Sequence, residues 1–204
     1  MPLVCVFLFA SPCPAAQKVE LLSLPADLDL NCLVPLLNRG EITSIMSKKD
    51  GELKQVTLIT IVNATPAKTW AVVNDYDHYN EFMTKNLVTK VIGHDGADTI
   101  VAYYIELPGP NFKYTLRHHP IPPNRIDAWP ENDKGDIKTG AYRWEFFPYA
   151  EGTKTFLVYT LYTDIRDTSW IIRLALRADP SIEHMLNSSS AFVHIRSIKK
   201  RAEE

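Results

Sequence analysis

Alternation of apolar and polar residues dominates the middle of the chain and predicts a run of β-strands. Gln55 to Asn63 is the most strand-like stretch, because it is rich in β-branched residues. The alternation predicts eight strand segments: 41–47, 55–63, 86–93, 98–107, 112–118, 125–129, 140–147 and 153–164. Short turns join most of them, which favours an antiparallel meander over βαβ units. No internal repeat or Gly/Ser-rich linker divides the chain, so we expect one domain.

The C-terminal part has a helical pattern with one break. Asp179-Pro180 separates a predicted helix over 170–178 from a second one over 181–200, since Pro suits a first helical turn. One side of the second helix carries the apolar stripe, formed by Ile182, Met185, Leu186, Ser189, Phe192 and Val193. In the middle of this stripe, residues 187–191 are small or polar. They either leave a cavity beneath the helix or let it pack closely on the sheet, and these residues alone leave both readings open.

Two short helices are predicted after the long apolar strand. Thr65 is placed to cap the first, with Pro66 at its first position, and this helix should end near Val73 or Asn74. The second should span residues 75–83, with its buried side formed by Tyr76, Tyr79, Phe82 and Met83.

The order of these elements, together with two local motifs, resembles the START-like helix-grip superfamily. The first motif consists of Ile61, Ala64, Thr65-Pro66, Trp70, Asp75-Tyr76, Tyr79 and Phe82, and the second is Gly140 to Phe146 followed by Gly152 to Thr155. The nearer branch is similar to polyketide cyclases and coenzyme-Q-binding START-like proteins. The resemblance covers about residues 41 to 200, and both motifs are signatures of fold and carry no catalytic chemistry.

This resemblance implies an α+β fold. A curved antiparallel sheet of six to seven strands would wrap around the long C-terminal helix, in a domain spanning residues 41–204. Members of the superfamily hold lipids, quinones, sterols or polyketides in a mostly apolar cavity between sheet and helix. A minority use that cavity to cyclise and dehydrate polyketide chains.

Strand alternation selects the residues that would line such a cavity. On 140–147 we expect Tyr142, Trp144 and Phe146 to face inward, opposite Arg143 and Glu145. The inner faces of neighbouring strands would be Val101, Tyr103, Ile105 and Leu107, and Tyr114 with Leu116. The candidate ligand-binding residues are Trp70, Tyr103, Ile105, Tyr114, Leu116, Tyr142, Trp144, Phe146, Met185 and Ser189.

The N-terminus suggests export. Leu3 to Ala10 is an uncharged apolar run followed by small residues, which is typical of a secretory signal over residues 1–16. No Lys or Arg precedes Leu3, so an apolar strand or tail in a cytoplasmic protein is the alternative to a periplasmic or secreted one. Residues 17–40, interrupted by Pro25 and Pro35, should form an irregular lead-in.

Charge and motif content argue against several functions. The net charge of -2 and the lack of a basic stripe give no case for nucleic acid. His118 and His119 point to opposite faces of a strand and cannot share a metal. Glu106, Arg117 and Arg143 are expected on the outer face, and no nucleophile elbow, phosphate loop or HExxH motif is present. We therefore predict no catalytic residue, metal or cofactor.

The sequence thus favours a carrier of a hydrophobic small molecule or lipid. A cyclase or dehydratase acting on a polyketide-like chain in the same cavity is the alternative, and inward-facing Arg or Glu next to His would favour it. Transient membrane contact and the oligomeric state are left open.

Overall fold

The computed structural model describes residues 19–106, 111–131, 135–166 and 168–204. The predicted signal segment 1–16 therefore lies outside the described residues and stays a prediction, as does the placement of Leu107. Chain order gives a short 3-10 helix (Leu30–Leu33), α1 (Val34–Leu37), β1 (Ile42–Ser47), β2 (Leu53–Val62), α2 (Pro66–Val73), a 3-10 turn (Tyr76–His78), α3 (Tyr79–Phe82), β3 (Leu87–Asp95), β4 (Asp98–Ile105), β5 (Phe112–Ile121), β6 (Arg125–Pro130), β7 (Gly140–Tyr149), β8 (Lys154–Thr163), α4 (Trp170–Ala178) and α5 (Ser181–Glu203).

All eight strands form one antiparallel sheet in the order β1-β2-β8-β7-β6-β5-β4-β3. The sheet has one strand more than the upper bound of seven that the resemblance implies, and its eight strands correspond to the eight segments that the alternation predicts. The α+β helix-grip architecture is confirmed, with α5 crossing the concave face of the sheet.

The start of α2 follows from local chemistry. The Thr65 hydroxyl accepts a hydrogen bond from the Lys68 amide at 3.3 Å, and Pro66 occupies the first turn, where no amide donor is needed. Both predicted roles are confirmed. After α2, Tyr76 and Tyr79 bury their rings in the core as predicted, while Phe82 and Met83 pack against it half-buried.

The buried face of α5 differs from the prediction. Its residues recur at helical spacing: Glu183, Asn187, Ala191, Ile195, Ile198 and Ala202. Met185 and Val193, which the apolar stripe placed inward, are exposed, and Leu186 faces inward only in part, with 37% of its surface exposed. The reason is that the polar side chain of Asn187 hydrogen-bonds the backbone of β8, so the N-terminal half of the helix turns polar and small residues to the sheet. Ile195 and Ile198 continue this face toward the C-terminus.

The lead-in packs on the convex face of the sheet. Leu24, Leu30 and Leu33 lie against a second apolar cluster that includes Ile59 and Val158. Further along, the Gln55 side chain exchanges two hydrogen bonds with the backbone of Leu22, at 2.7 and 3.0 Å. The outer face of β2 and β8 is therefore buried as well, which explains why both strands are apolar on both sides.

Candidate functional site: a cavity between sheet and helix

A cavity of about 260 Å³ lies between the concave face of the sheet and the helices α4 and α5. Seven aromatic side chains form its wall: Tyr79, Tyr103, Phe112, Tyr114, Tyr142, Trp144 and Tyr159. Aliphatic residues complete the lining, including Ile105, Leu116, Ile137, Ile165, Ile172 and Leu186. Its volume is close to the lower end of the range for ligand pockets, about 300 Å³.

Strand register explains why the aromatic rings lie together. Tyr103 on β4 pairs directly with Tyr114 on β5, and the two rings stack with centroids 5.0 Å apart. Trp144 on β7 likewise pairs with Tyr159 on β8, and their ring centroids lie 3.8 Å apart. Cross-strand aromatic pairs of this kind stabilise a sheet, and here they also give the cavity a rigid, flat-sided wall.

Three tyrosine hydroxyls of the cavity wall differ in their hydrogen bonding. Tyr142 Oη accepts a hydrogen bond from the Thr163 hydroxyl at 3.0 Å. Within the described ranges, no group hydrogen-bonds the hydroxyls of Tyr114 or Tyr159, although both side chains line the cavity. Burial raises the pKa of both phenols, so they remain neutral and can donate to a ligand oxygen.

His118 is a buried polar group of the site. Its Nε2 lies 2.9 Å from Tyr103 Oη, and its ring packs against that of Tyr76 at 4.4 Å. Burial lowers the pKa of His118 to about 3, so the imidazole is neutral at physiological pH. Its Nδ1 is buried with no hydrogen-bond partner among the described residues.

His194 on α5 is held as one tautomer. Its Nδ1 donates to the Ser190 carbonyl at 2.7 Å, which leaves Nε2 as an acceptor. Burial lowers the pKa of His194 as well, and its ring lies 5.7 Å from that of Tyr159. Both histidines of the cavity therefore contribute neutral polar atoms.

Charged side chains are kept out of the cavity. No Asp, Glu, Lys or Arg is among the described residues lining the cavity. Arg117 pairs with Glu131 at 2.6 Å, and Arg143 pairs with Asp127 at 2.8 Å, on the outer face as predicted. The described parts of the chain also contain no group of three His, Cys, Asp or Glu placed to hold a metal ion.

The structure brings six of the ten predicted ligand-binding residues around the cavity: Tyr103, Ile105, Tyr114, Leu116, Tyr142 and Trp144. Trp70 and Phe146 do not line it, because their rings pack against each other beneath α2, with centroids 5.3 Å apart. Met185 and Ser189 do not line it either, since the rotation of α5 set by Asn187 leaves both exposed. A ligand-binding role for the remaining six stays a prediction.

Sequence reasoning missed several lining residues. His118 continues the inward alternation of Tyr114 and Leu116, so the same pattern extended by two positions would have found it. Asn187 and Ser190 gave no such signal, because their inward position depends on how α5 is rotated about its axis.

Comparison with solved structures identifies the same architecture. A START superfamily protein from Mycobacterium smegmatis superposes with a TM-score of 0.58 at 14% identity, covering 73% of this chain and 97% of that one. A STAR-related lipid transfer protein from Xanthomonas axonopodis gives 0.56 at 11% identity (81% and 94% covered). The Zhui aromatase/cyclase from Streptomyces sp. R1128 gives 0.55 at 14% identity (73% and 93% covered). At these identities the likeness shows the fold alone.

No curated protein matches the chain at a significant level. A family model described as polyketide cyclase/dehydrase and lipid transport matches residues 62–183, more than half of the chain. The matched segment runs from the end of β2 to the first turn of α5 and thus includes most of the cavity wall. The chain therefore belongs to the polyketide cyclase/dehydrase and lipid transport family.

Proposed function

We propose that the protein binds and carries a hydrophobic small molecule of the lipid, quinone or polyketide type in this cavity, without transforming it. The observation that carries the proposal is the lining, which is aromatic and aliphatic with only neutral polar groups among the described residues. Binding in such a site rests on apolar burial, and a few hydroxyl or imidazole groups orient the ligand. Lipid transport in the family description and the lipid transfer protein among the structural neighbours support this choice.

The size of the cavity limits the cargo. A volume of about 260 Å³ lies just below the usual range for small-molecule sites, about 300–1,000 Å³. A compact ring system or a short acyl segment fits this space, whereas a longer chain requires the helices α4 and α5 to move away from the sheet. Transient membrane contact during loading and release belongs to the proposal, and so does export through the predicted N-terminal signal.

A matched pair of substitutions on α5 tests the proposal. Ser190 lines the cavity and Ser189 is exposed one position earlier, so Ser190→Leu fills the space while Ser189→Leu makes the same chemical change outside it. Titration with a fluorescent medium-chain fatty acid should show at least tenfold weaker binding for S190L, because the leucine occupies space that the ligand needs. A tenfold change corresponds to about 1.4 kcal/mol of binding free energy. S189L should bind as the wild type does.

Native mass spectrometry of protein purified from its own host, followed by extraction, identifies the cargo. A co-purifying lipid or quinone supports carriage. Equal probe affinities for S190L, S189L and the wild type would show that this cavity is not the binding site, and the carrier proposal would fail.

The second candidate is catalysis of the cyclase type, which the His118–Tyr103 pair and the aromatase/cyclase neighbour bring into consideration. General bases work best when their pKa lies near the working pH. His118, with a pKa lowered to about 3, is therefore a weak base, and the outward Arg117 and Arg143 offer no compensating charge. Loss of cyclised product from a polyketide-like chain in His118→Gln, with substrate binding retained, would favour the enzyme.

A further inference from the structure

The helix α4 exposes an unusual amount of apolar surface. Trp170, Ile171 and Leu174 are 73%, 53% and 59% exposed, and no residue of this helix is buried. Met185 on α5, the helix against which α4 packs, is 57% exposed. Soluble proteins seldom leave large contiguous apolar patches uncovered unless the patch binds something.

Helical geometry orders these side chains. At 3.6 residues per turn, Trp170, Leu174 and Ile171 fall within an arc of about 100° on one side of α4. Ile172 lies on the opposite side, where it lines the cavity together with Leu186 of α5. The same short helix thus has one face in the solvent and another at the edge of the cavity.

The charges of α4 have one sign. Arg173 and Arg177 occupy the arc next to Trp170, and the helix contains no acidic residue. Arg173 Nε donates to the Arg166 carbonyl at 3.3 Å, while no described carboxylate forms an ion pair with Arg177. Asp179, which follows the helix, accepts a hydrogen bond from the Ser181 amide.

This pattern matches one kind of occupant. Tryptophan is enriched at the boundary between lipid and water, and arginine can extend its charge to phosphate groups while its stem lies on apolar surface. Helices that combine an apolar face with Lys or Arg bind in the plane of an anionic membrane. A nine-residue helix is about 14 Å long, too short to cross a bilayer of about 30 Å. Among the described residues no helix is both long and apolar enough to span a membrane.

We propose that α4 docks the protein on an anionic lipid surface, with Trp170, Ile171 and Leu174 inserted among the lipids and Arg177 bound to a phosphate group. Docking places the cavity edge at Ile172 and Leu186 next to the lipid phase, where an apolar cargo can pass without crossing water. The significance of docking for cargo exchange rests on the proposed carrier function; the docking itself does not.

Sedimentation of the full chain with vesicles tests the inference. Vesicles of equal parts phosphatidylglycerol and phosphatidylcholine should bind the protein, and vesicles of phosphatidylcholine alone should bind it much less. Leu174→Ser should weaken binding about tenfold, because it removes a large part of the buried apolar area. Val88→Ser, the matched control at an exposed apolar site on β3, should leave binding unchanged.

A charge pair completes the design. Arg177→Glu should weaken binding to the anionic vesicles at least tenfold, because it removes an attracted charge and introduces a repelled one. Lys200→Glu, an equivalent change at an exposed position near the end of α5, should have a much smaller effect. Added salt should reduce binding of the wild type.

Three results would overturn the docking proposal: no binding of the wild type to anionic vesicles, equal loss in L174S and V88S, or a dimer that L174S dissociates without any vesicle binding. The last result would assign the surface to a second copy of the chain. The two proposals fail separately. Probe binding by S190L and S189L is measured without vesicles, so docking can fail while carriage stands, and the reverse.

Discussion

Asn187 is expected to hold α5 on the sheet, and its substitution should be among the most destabilising in the helix. Its Oδ1 accepts from the Thr163 amide at 2.8 Å, and its Nδ2 donates to the carbonyls of Thr163 and Glu183 at 3.1 and 3.0 Å. Asn187 is almost fully buried, so truncation leaves polar groups of Thr163 without a partner or ready access to water.

The cost of Asn187→Ala follows from these contacts. Each hydrogen bond contributes about 0.5–1.5 kcal/mol, and each buried group left unsatisfied costs about 1–3 kcal/mol. Because the Glu183 carbonyl keeps its helical hydrogen bond, we expect a loss of about 3 kcal/mol in the free energy of unfolding. For a chain of this size each kcal/mol lowers Tm by about 2–4 °C, so Tm should fall by about 6–12 °C.

Urea and thermal unfolding followed by circular dichroism measure this loss. Asn80→Ala, at an exposed site on α3, serves as the control and should change stability by about 0.5 kcal/mol at most. Asn187→Asp keeps the shape but turns an acceptor toward two carbonyls, so it should be destabilising at neutral pH and partly recover as the new acid is protonated. A loss in Asn187→Ala no larger than in Asn80→Ala would refute the assigned role.

Two further predictions concern the two faces of the sheet. The pKa of His118 is lowered from 6.5 to about 3. Below pH 6.5 this side chain is therefore protonated in the unfolded chain but stays neutral in the folded protein. The free energy of unfolding of the wild type should thus fall by about 3 kcal/mol by pH 4.5. His118→Gln removes this contribution, and urea unfolding at pH 7 and 4.5 should show a flatter profile; parallel profiles would contradict the account. On the outer face, Arg143→Met should speed hydrogen exchange in residues 19–24, because Arg143 donates to Ser23 Oγ at 2.8 Å. Arg125→Met, which also removes an ion pair to Asp127 but no hydrogen bond to the described part of the lead-in, should have a much smaller effect.

Local signals were sufficient for much of the fold. The Thr65-Pro66 start of α2 depends on a single turn of chain, and the inward face of β7 depends only on the period of two along the strand. Such features can be predicted because each is decided by neighbours in sequence.

Features decided by distant contacts could not be predicted in this way. The rotation of α5 depends on Asn187 meeting β8, and no pattern within the helix indicates that a polar side chain has a partner there. For the same reason Trp70 and Phe146 were expected to contact a ligand but pack against each other. Alternation selects the face of a strand, whereas the atoms covering that face are determined by the tertiary structure.

The central position of β8 affects how the protein can be made. Within the sheet, β8 joins the β1–β2 hairpin to the β3–β7 meander, because it pairs with β2 on one side and β7 on the other. β2 is apolar on both faces, and about 90 further residues are synthesised before its partner strand β8 begins. At usual translation rates this takes roughly 5–20 s. Nascent chains should therefore need protection by a chaperone, and any product ending before Thr163 should aggregate.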